Sequence, residues 1–328
     1  MSRFIALITD RFDVNALASL QGDSELTVRQ SSTPLPTKEE MLGVQGIVIR
    51  SRTKITAEFL NQSPDLKVIV TSTSGFDHID LKACQEKSVV VMYTPTANAA
   101  SAAELTWALS LAVSRKTNQA DRAVKSGDWK RETLLGRQLH GRTYGIVGLG
   151  RIGSRVAKIA NAFGMRVVGF DPYKDDHHFD AAGCERMSLD EVFKMADIVS
   201  IHVPSTTETF HMIRKTTLDE ANRDLVLINT SRGAVVDEKV LCEALDKGWI
   251  AGAGLDVFKK EPLPRESKLL GRDNVVLTPH IGATTGEAFQ ASSMEAAAKL
   301  KAFAARGEIK DRLPGNEAWV EGGFIHRE

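Results

Sequence analysis

One short glycine-rich segment near the middle of the chain constrains the fold more than any other feature. Residues 148–153 read Gly-Leu-Gly-Arg-Ile-Gly and match the pattern G-x-G-x-x-G. A strand-like run, Thr143–Val147, precedes the segment, and a helix-like run, Ile152–Phe163, follows it. A second strand-like run, Arg166–Phe170, ends in Asp171, about 20 residues beyond the glycines. In this setting the pattern predicts a strand, a turn and a helix that bind the pyrophosphate of a dinucleotide.

The three glycines of this turn have separate physical roles. Gly148 permits the tight turn from strand to helix, Gly150 lets the phosphates approach the backbone, and Gly153 lets the helix pack closely on the strand. We expect Arg151 and Ile152, in the first helical turn, to offer backbone N–H groups to the phosphates.

Asp171 distinguishes between the two nicotinamide cofactors. A carboxylate at this position hydrogen-bonds the ribose 2′-hydroxyl of NAD and would repel the 2′-phosphate of NADP. Pro172 and Tyr173 follow it, where an NADP enzyme would need an arginine. The sequence therefore predicts NAD as the cofactor.

Short apolar runs alternate with helix-like periods along the chain, which is typical of parallel sheets with helices on both faces. The chain has 328 residues, more than the roughly 250–300 residues at which a single core stops growing, so we predict two domains. The predicted strands are Phe4–Ile8, Gly46–Arg50, Lys67–Thr71 and Val89–Tyr93 in a first series, and Thr143–Val147, Arg166–Phe170, Asp197–His202, Asp224–Thr230, Ala253–Phe258 and Asn274–Leu277 in a second. Long helices are predicted from Ser101 to Lys125 and from Gly286 to Ala305.

These elements predict an α/β fold of two doubly wound parallel-sheet domains. Residues 1–98 plus 293–328 would form a smaller, flavodoxin-like substrate domain, and residues 99–292 a Rossmann cofactor domain.

Composition excludes several classes of partner. Lysine plus arginine number 42, as do aspartate plus glutamate, so the basic excess typical of nucleic-acid binding is missing. We find no run of about 18 apolar residues and no signal peptide, and so expect no membrane partner. The three cysteines are widely spaced, which favours reduced thiols and a cytoplasmic location. We interpret the pair His177-His178 as solvated surface and expect no metal.

Three charged residues follow three different strands of the second series. Arg232 follows the run Asp224–Thr230, Glu261 follows Ala253–Phe258, and His280 follows Asn274–Leu277. Each alone could be structural, but ligands of open parallel sheets bind at the carboxyl ends of the strands. The joint placement therefore favours a catalytic site.

These residue types suit the reduction of a 2-oxo acid. Histidine can donate a proton to the carbonyl oxygen and take it back in the reverse reaction. A carboxylate such as Glu261 would balance the charge of the imidazolium, and Arg232 could bind the substrate carboxylate and the developing oxyanion.

Longer motifs around these residues resemble a known family. They are Gly148–Gly153, Asn229–Asp237, Leu255–Phe258 with Glu261-Pro262, and Thr278–Gly282. With them, residues 3–306 resemble the D-isomer-specific 2-hydroxyacid dehydrogenases. The resemblance implies that Arg232 binds substrate and takes part in catalysis, that Glu261 is the partner of His280, and that His280 is the general acid and base. It also implies a homodimer built largely through the cofactor domains, with the active site in the cleft between the two domains. We expect the cofactor to be lined further by His202, Thr230 and Asp256.

On the substrate side, the chain is similar to the phosphoglycerate dehydrogenase branch of the family. The similarity lies in residues 49–56, in residues 101–106 and in Arg131, two residues after Trp129. It implies that the substrate is bound by Arg50, Ser51, Thr73, Ser74, Gly75 and Arg131. The turn Ser72–Gly75 is less glycine-rich than is usual in the family, and His78 stands where asparagine is common. The sequence ends at residue 328, and we expect no serine feedback through a further C-terminal domain.

Three functions stay open at this point. The first is the interconversion of 3-phosphoglycerate and 3-phosphohydroxypyruvate in serine biosynthesis. The second is reduction of hydroxypyruvate, glyoxylate or 2-ketogluconate. The third is a corepressor-like binding protein on the same fold. The first two differ in whether Arg50 and Arg131 meet a phosphate on the substrate.

Overall fold

The computed structural model describes residues 3–129 and 131–315. The chain divides into two compact units, which we call the first unit (Met1–Asn98 with Ala283–Glu328) and the second unit (Ala99–Gly282). The sequence analysis placed the last boundary after residue 292, inside what is a continuous helix, Gly286–Arg306. Ser293 of this helix accepts a hydrogen bond from the backbone N–H of Asp13 at 3.3 Å, so this part of the helix packs within the first unit.

The strands in chain order are β1 (Phe4–Ile8), β2 (Leu26–Gln30), β3 (Gly46–Ile49), β4 (Val68–Thr71), β5 (Val90–Tyr93), β6 (Thr143–Val147), β7 (Arg166–Phe170), β8 (Glu185–Arg186), β9 (Ile198–Ile201), β10 (Val226–Asn229), β11 (Gly252–Leu255), β12 (Val275–Leu277) and β13 (Arg312–Leu313). The α-helices are α1 (Val14–Gln21), α2 (Ala57–Asn61), α3 (Leu81–Glu86), α4 (Ala99–Ser114), α5 (Thr117–Lys125), α6 (Arg151–Ala162), α7 (Asp176–Ala182), α8 (Leu189–Met195), α9 (Lys215–Asp219), α10 (Glu238–Asp246) and α11 (Gly286–Arg306).

The first unit is built on one sheet in the order β2-β1-β3-β4-β5-β13. Its first five strands are parallel, and β13 pairs antiparallel with β5. The order 2-1-3-4-5 is that of the flavodoxin-like folds. Both faces of the sheet are apolar because helices cover both: α1 and α11 pack on one face through residues such as Leu20 and Leu300, and α2 and α3 on the other through residues such as Leu60 and Leu81.

The second unit is built on a parallel sheet in the order β8-β7-β6-β9-β10-β11-β12. Counted within this unit, the strand order begins 3-2-1-4-5-6, as in the Rossmann fold. Val192 and Leu241 pack on one face of the sheet, and Trp107 and Val156 on the other. Because all strands run the same way, their carboxyl ends share one edge, where ligands of such sheets bind. The predicted fold class, two doubly wound α/β units, is confirmed.

Further differences from the sequence-based prediction concern one helix and three strands. The helix predicted from Ser101 to Lys125 is two helices, α4 and α5, separated by Lys116, whose φ of +53° lies in the left-handed region. The strands β2, β8 and β13 were not predicted. Each lies at or near an edge, and their short or largely polar sequences lack the continuous apolar pattern of a buried strand.

Within the described ranges, no helix is both long and apolar enough to cross a membrane. No group of three or more His, Cys, Asp or Glu side chains in that part of the chain could hold a metal ion. The three cysteines are buried free thiols, and burial raises the pKa of Cys84 and Cys184 to about 12.

Two glycines in the turn between β6 and α6 provide a matched test of packing. A Cβ atom on Gly153 would lie 2.0 Å from the carbonyl oxygen of Gly148, whereas one on Gly150 would meet no atom within 4 Å. We expect Gly153→Ala to lower the free energy of unfolding by about 3 kcal/mol, because backbone must move to admit the methyl group. Gly150→Ala should change it by no more than about 1 kcal/mol. Chemical denaturation of the two unliganded variants measures both effects, and equal midpoints would contradict the packing argument.

Candidate active site

The glycine turn leaves an open space at the start of α6. Gly148 has a φ of +91°, which glycine adopts without strain, and its N–H donates to the carbonyl of Phe170 at 2.8 Å. The helix begins directly after Gly150 without a side-chain cap, and a Cβ at Gly150 would meet no protein atom within 4 Å. The first backbone N–H groups of the helix, including those of Arg151 and Ile152, thus lack a capping side chain. Uncapped N–H groups beside open space fit the pyrophosphate of a dinucleotide.

Asp171 follows β7, and two backbone hydrogen bonds fix its carboxylate. Oδ2 accepts from the N–H of Leu149 at 2.8 Å, and Oδ1 accepts from the N–H of Tyr173 at 2.9 Å. Leu149 belongs to the glycine turn, so the carboxylate is joined directly to that turn. Each carboxylate oxygen can accept a further hydrogen bond, which keeps Asp171 able to receive a ribose hydroxyl.

His202, Thr230 and Asp256 follow β9, β10 and β11 at the same edge of the sheet. The Nε2 atom of His202 lies 2.8 Å from the Oγ atom of Ser200, and burial lowers the pKa of His202 to about 3, so the ring is neutral at physiological pH. The Oγ1 atom of Thr230 lies 2.8 Å from that of Thr106 in α4.

The loop that carries Arg232 is held by Asn229, the last residue of β10. The side chain of Asn229 is 1% exposed, accepts from the N–H of Ser231 at 3.0 Å and donates to the carbonyl of Arg232 at 2.9 Å. The next residue, Gly233, lies so close to Phe258 that a Cβ would be 2.0 Å from its carbonyl carbon. The loop after β10 is therefore packed backbone to backbone on the loop after β11.

Glu261 and His280 meet, although they follow different strands. The Nδ1 atom of His280 lies 2.7 Å from Oε2 of Glu261. The other carboxylate oxygen of Glu261, Oε1, accepts from the N–H of Phe258 at 3.1 Å, which fixes the carboxylate on its own loop. The His280 side chain is 37% exposed and that of Glu261 is 18% exposed, so the ring remains accessible while its partner is largely enclosed.

Asp256 holds the loop that carries His280. Its carboxylate is fully buried, and it accepts hydrogen bonds from the Oγ1 of Thr278 at 2.6 Å and from the N–H groups of Ile281 and Gly282, each at 2.8 Å. His280 has a φ of +56°, a conformation that costs a non-glycine residue about 1–3 kcal/mol. Hydrogen bonds to a charged group contribute about 1.5–3 kcal/mol each, so the three together outweigh this strain. The sequence analysis assigned Asp256 to the cofactor and did not anticipate this role.

On the first unit, Arg50 directly follows β3 and is half-buried. Its Nη1 lies 3.3 Å from the Oγ of Ser72 and 3.3 Å from the Oγ of Ser292, and its guanidinium lies 5.0 Å from the ring centroid of Phe289. Burial lowers the pKa of Arg50 from its ordinary value, while the nearby charge of Asp10 acts in the opposite direction. Across residues 3–129 and 131–315, no carboxylate forms a salt bridge with Arg50.

The predicted substrate turn is shaped by a chain of hydrogen bonds. The Oγ1 of Thr73 lies 2.6 Å from that of Thr71 and donates to the carbonyl of Gly75 at 2.7 Å. The Nε2 of His78 lies 3.2 Å from the Oγ1 of Thr71, so histidine takes part in shaping the turn. Ser74 lies within this turn and is partly buried.

Ser51 and Arg131 are exposed. Arg131 begins a short 3₁₀ helix, Arg131–Leu134, in the second unit, whereas Arg50 and Ser51 belong to the first. A joint contact of Arg50 and Arg131 with one phosphate stays a prediction.

Sequence reasoning missed one residue of the glycine turn's surroundings. The Nε2 of His178, in α7, lies 2.8 Å from the carbonyl oxygen of Leu149. The sequence analysis interpreted His178 as solvated surface, because its neighbours in sequence are polar. A contact with a residue 29 positions away leaves no local sequence pattern. Asn229, by contrast, could have been found, since it opens the motif that contains Arg232.

Comparison with known proteins gives consistent results. Residues 107–282 match the family model for the D-isomer specific 2-hydroxyacid dehydrogenase, NAD binding domain. The chain is 38% identical over 308 residues to a D-3-phosphoglycerate dehydrogenase of Methanocaldococcus jannaschii, covering 94% of this chain and 58% of that relative. It is 38% identical over 306 residues to a hydroxypyruvate reductase of Thermotoga maritima, covering 92% of this chain and 98% of the relative. The crystal structure of D-lactate dehydrogenase from Aquifex aeolicus, complexed with NAD and lactic acid, is similar at 32% identity with a TM-score of 0.83, covering 95% of this chain and 99% of that one.

The chain thus spans about half the length of the phosphoglycerate dehydrogenases that it matches, for example 58% of the Methanocaldococcus protein and 53% of the rat protein. The family model covers more than half of the present chain, and the Thermotoga relative is matched over nearly its full length. Together with the two doubly wound sheets and the glycine turn, these matches show that the chain belongs to the D-isomer-specific 2-hydroxyacid dehydrogenase family.

Proposed function

We propose that the chain is an oxidoreductase that transfers a hydride between NAD(H) and C2 of a D-2-hydroxy acid or the corresponding 2-oxo acid. The observation that carries this proposal is the 2.7 Å contact between Nδ1 of His280 and Oε2 of Glu261, on loops that leave the NAD-binding sheet at its carboxyl edge. When bound, NAD supplies the redox chemistry of the hydride itself.

The acid–base role falls to the second ring nitrogen of His280. Because Glu261 engages Nδ1, Nε2 is the atom that donates a proton to the C2 oxygen during reduction and accepts it during oxidation. The carboxylate also orients the ring and balances the charge of the imidazolium. Arg232, held by Asn229 on the adjoining loop, is suited to bind the substrate carboxylate through two parallel N–H···O bonds and to stabilise charge on the C2 oxygen.

The cofactor is proposed to bind along the same edge. The backbone at Gly148, Gly150, Arg151, Ile152 and Gly153 would hold the pyrophosphate. Asp171 would accept from the ribose hydroxyls and disfavour the 2′-phosphate of NADP. His202, Thr230 and Asp256, at three successive strand ends, would line the remaining length of the cofactor. Because Nε2 of the neutral His202 faces Ser200, its Nδ1 atom can donate or accept one hydrogen bond there, depending on the tautomer.

For the substrate we propose 3-phosphoglycerate and 3-phosphohydroxypyruvate, as in serine biosynthesis. The support is Arg50, a half-buried guanidinium without a salt bridge in the described part of the chain. It lies 3.3 Å from Ser72 of the turn Ser72–Gly75, which we propose holds the substrate carboxylate. A desolvated cation without a carboxylate partner is suited to bind an anionic group of a ligand. Ser51 and Arg131 are proposed to bind the same substrate.

A second substrate class is favoured by a different observation. The hydroxypyruvate reductase of Thermotoga maritima is matched over 98% of its length, at the same 38% identity as the archaeal phosphoglycerate dehydrogenase. Reduction of hydroxypyruvate, glyoxylate or 2-ketogluconate is therefore the alternative proposal. A corepressor-like binding protein on this fold is a third proposal, which no observation of the site favours.

We also propose that two copies associate through their second units. The segment from α5 to residue 137 exposes three large apolar side chains: Val124 is 54% exposed, Trp129 is 74% exposed and Leu135 is 82% exposed. Large apolar side chains exposed within one short segment of the chain support a surface that is covered in an assembly. A cytoplasmic location stays a prediction.

The proposed acid–base pair predicts a graded loss of activity. His280→Ala should lower kcat by roughly 10²–10⁴-fold, the usual contribution of general acid–base catalysis, while NADH binding measured by calorimetry stays unchanged. Glu261→Gln keeps a hydrogen-bonding side chain but loses the charge, and should lower kcat by roughly 10- to 100-fold. A loss below tenfold for His280→Ala would refute its role.

Asp256 should affect turnover through the loop that it holds. In Asp256→Asn one oxygen becomes an NH₂ group, which cannot accept from the N–H of Ile281 or Gly282. We expect kcat to fall by at least about tenfold, because His280 loses its fixed orientation. The matched control is Asp13→Asn, since the carboxylate of Asp13 also accepts from two backbone N–H groups, at an N-cap where asparagine serves equally well. Equal kcat values for the two variants would contradict the positioning role.

The substrate proposal is tested by comparing a phosphorylated with an unphosphorylated substrate. Arg50→Ala should lower kcat/KM for 3-phosphohydroxypyruvate by roughly 10- to 100-fold, the equivalent of one charge-assisted contact, and barely change it for hydroxypyruvate. Arg52→Ala is the control, because Arg52 is 58% exposed and is already paired with Asp10. If Arg50→Ala reduces both rates equally, or if the unmodified enzyme prefers hydroxypyruvate, the second substrate class is the correct one.

A further inference from the structure

The peptide that joins Leu149 to Gly150 lies in the middle of the glycine turn. Glycines flank Leu149 on both sides, and glycine has the widest range of backbone conformations. Because a trans peptide is planar, the direction of the Leu149 carbonyl determines the direction of the Gly150 N–H, which points the opposite way. A turn that binds phosphate through backbone N–H groups therefore depends on whatever fixes this carbonyl.

Three side chains fix the main chain of Leu149. Its N–H donates to Oδ2 of Asp171 at 2.8 Å. Its carbonyl oxygen lies 2.8 Å from Nε2 of His178 and accepts from the Oγ of Ser154 at 3.2 Å. A carbonyl only accepts, so Nε2 of His178 must carry the proton in this contact. The shorter of the two contacts to the carbonyl comes from the histidine.

His178 is itself firmly placed. It lies in the first turn of α7, and its backbone N–H donates at 2.9 Å to Asp175, the N-cap of that helix. The next residue, Phe179, is 1% exposed and belongs to the core of the second unit. The imidazole is half-buried between α7 and the glycine turn. The ring thus reaches Leu149 from a helix that is anchored on both sides of the histidine.

We propose that His178 is a positioning residue for NAD: it holds the Leu149 carbonyl so that the Gly150 N–H points toward the cofactor phosphates. The inference rests on the proposed binding of NAD at the glycine turn. His178 itself touches no cofactor atom in this proposal. Without its hydrogen bond, only the longer contact from Ser154 holds the Leu149 carbonyl, so the Leu149–Gly150 peptide samples rotated orientations more often and the fraction of protein that is ready to bind falls.

This role predicts that loss of the His178 hydrogen bond affects the binding of NADH and leaves kcat unchanged. Loss of one hydrogen bond of this kind should raise the Kd for NADH by up to about tenfold, and the KM for NADH in parallel. The kcat at saturating NADH should stay unchanged, because hydride transfer takes place at the other end of the cofactor. A merely structural contact between α7 and α6 would instead lower thermal stability and leave the Kd unaltered.

The test is calorimetric titration of the full chain with NADH, together with thermal unfolding of each variant. His178→Ala removes the donor and the ring, and His178→Phe keeps a ring of similar size without the donor. Both should weaken NADH binding by up to tenfold, whereas His178→Gln, whose side-chain amide can donate to the same carbonyl, should restore much of the affinity. His177→Ala changes the exposed neighbour and should bind NADH as the unmodified protein does.

The outcomes separate the two proposals. If the unmodified protein fails to bind NADH, both the proposed function and this inference are overturned. If it binds NADH and the Phe and Ala variants bind equally well, the inference alone is overturned. If the Ala variant does not fold, the comparison between the Phe and Gln variants decides, and equal affinities there refute the role of His178.

Discussion

The buried carboxylate of Asp256 accepts three hydrogen bonds from the loop that follows β12, and the position of His280 depends on it. A buried carboxylate is tolerated in a protein only when its oxygen atoms accept hydrogen bonds. Here the loop after β12 donates those hydrogen bonds. These hydrogen bonds hold the loop in a backbone conformation that is otherwise unfavourable, with a positive φ at His280. His280 can therefore contact Glu261, because the carboxylate of Glu261 is also fixed: it accepts a hydrogen bond from the N–H of Phe258 on the neighbouring loop.

At other strand ends of the second unit, too, a polar side chain forms hydrogen bonds with the backbone of a loop. Asn229, at the end of β10, forms hydrogen bonds with the backbone of the loop that carries Arg232. Asp171, after β7, accepts a hydrogen bond from the backbone of the glycine turn. Irregular loops leave backbone N–H and C=O groups that must find partners, and short polar side chains at the strand ends supply them. The candidate functional groups are therefore carried on loops, but on loops that are fixed by side chains at the ends of the strands.

Much of this organisation could be predicted from sequence. The strands β1, β6 and β7 have the predicted bounds, because strands buried on both faces appear as uninterrupted apolar runs. Edge strands such as β2 lack that pattern and were missed. For the candidate site, residue type and strand-end position singled out Glu261 and His280, whose side chains meet in the structure, and their catalytic roles stay a prediction.

The remaining features depend on tertiary contacts. The side chain of His178 meets Leu149 only because α7 packs beside α6, and no local pattern records a contact across 29 positions. Lys116 adopts a left-handed backbone conformation, and the stretch predicted as one helix is therefore two helices. Lysine is compatible with a helix interior, so the residue type gives no sign of this break. Asp256 was assigned to the cofactor because it lies at a strand end. That position does not reveal whether a carboxylate hydrogen-bonds a ligand or a neighbouring loop of the protein.

The assignment of α11 to the first unit has a consequence for how the protein is made. Ala296, Ala297 and Leu300 of this helix complete one face of the first sheet, against Val48 and Val70. On the ribosome those strands emerge early, yet the helix that covers them is synthesised only after the whole second unit. The second unit is contiguous in sequence and can close its core first, while one apolar face of the first unit still lacks α11. The nascent chain thus passes through a stage in which the Rossmann unit is complete and one face of the flavodoxin-like sheet is covered only in part, by α1. In that state chaperones or aggregation would compete for the chain.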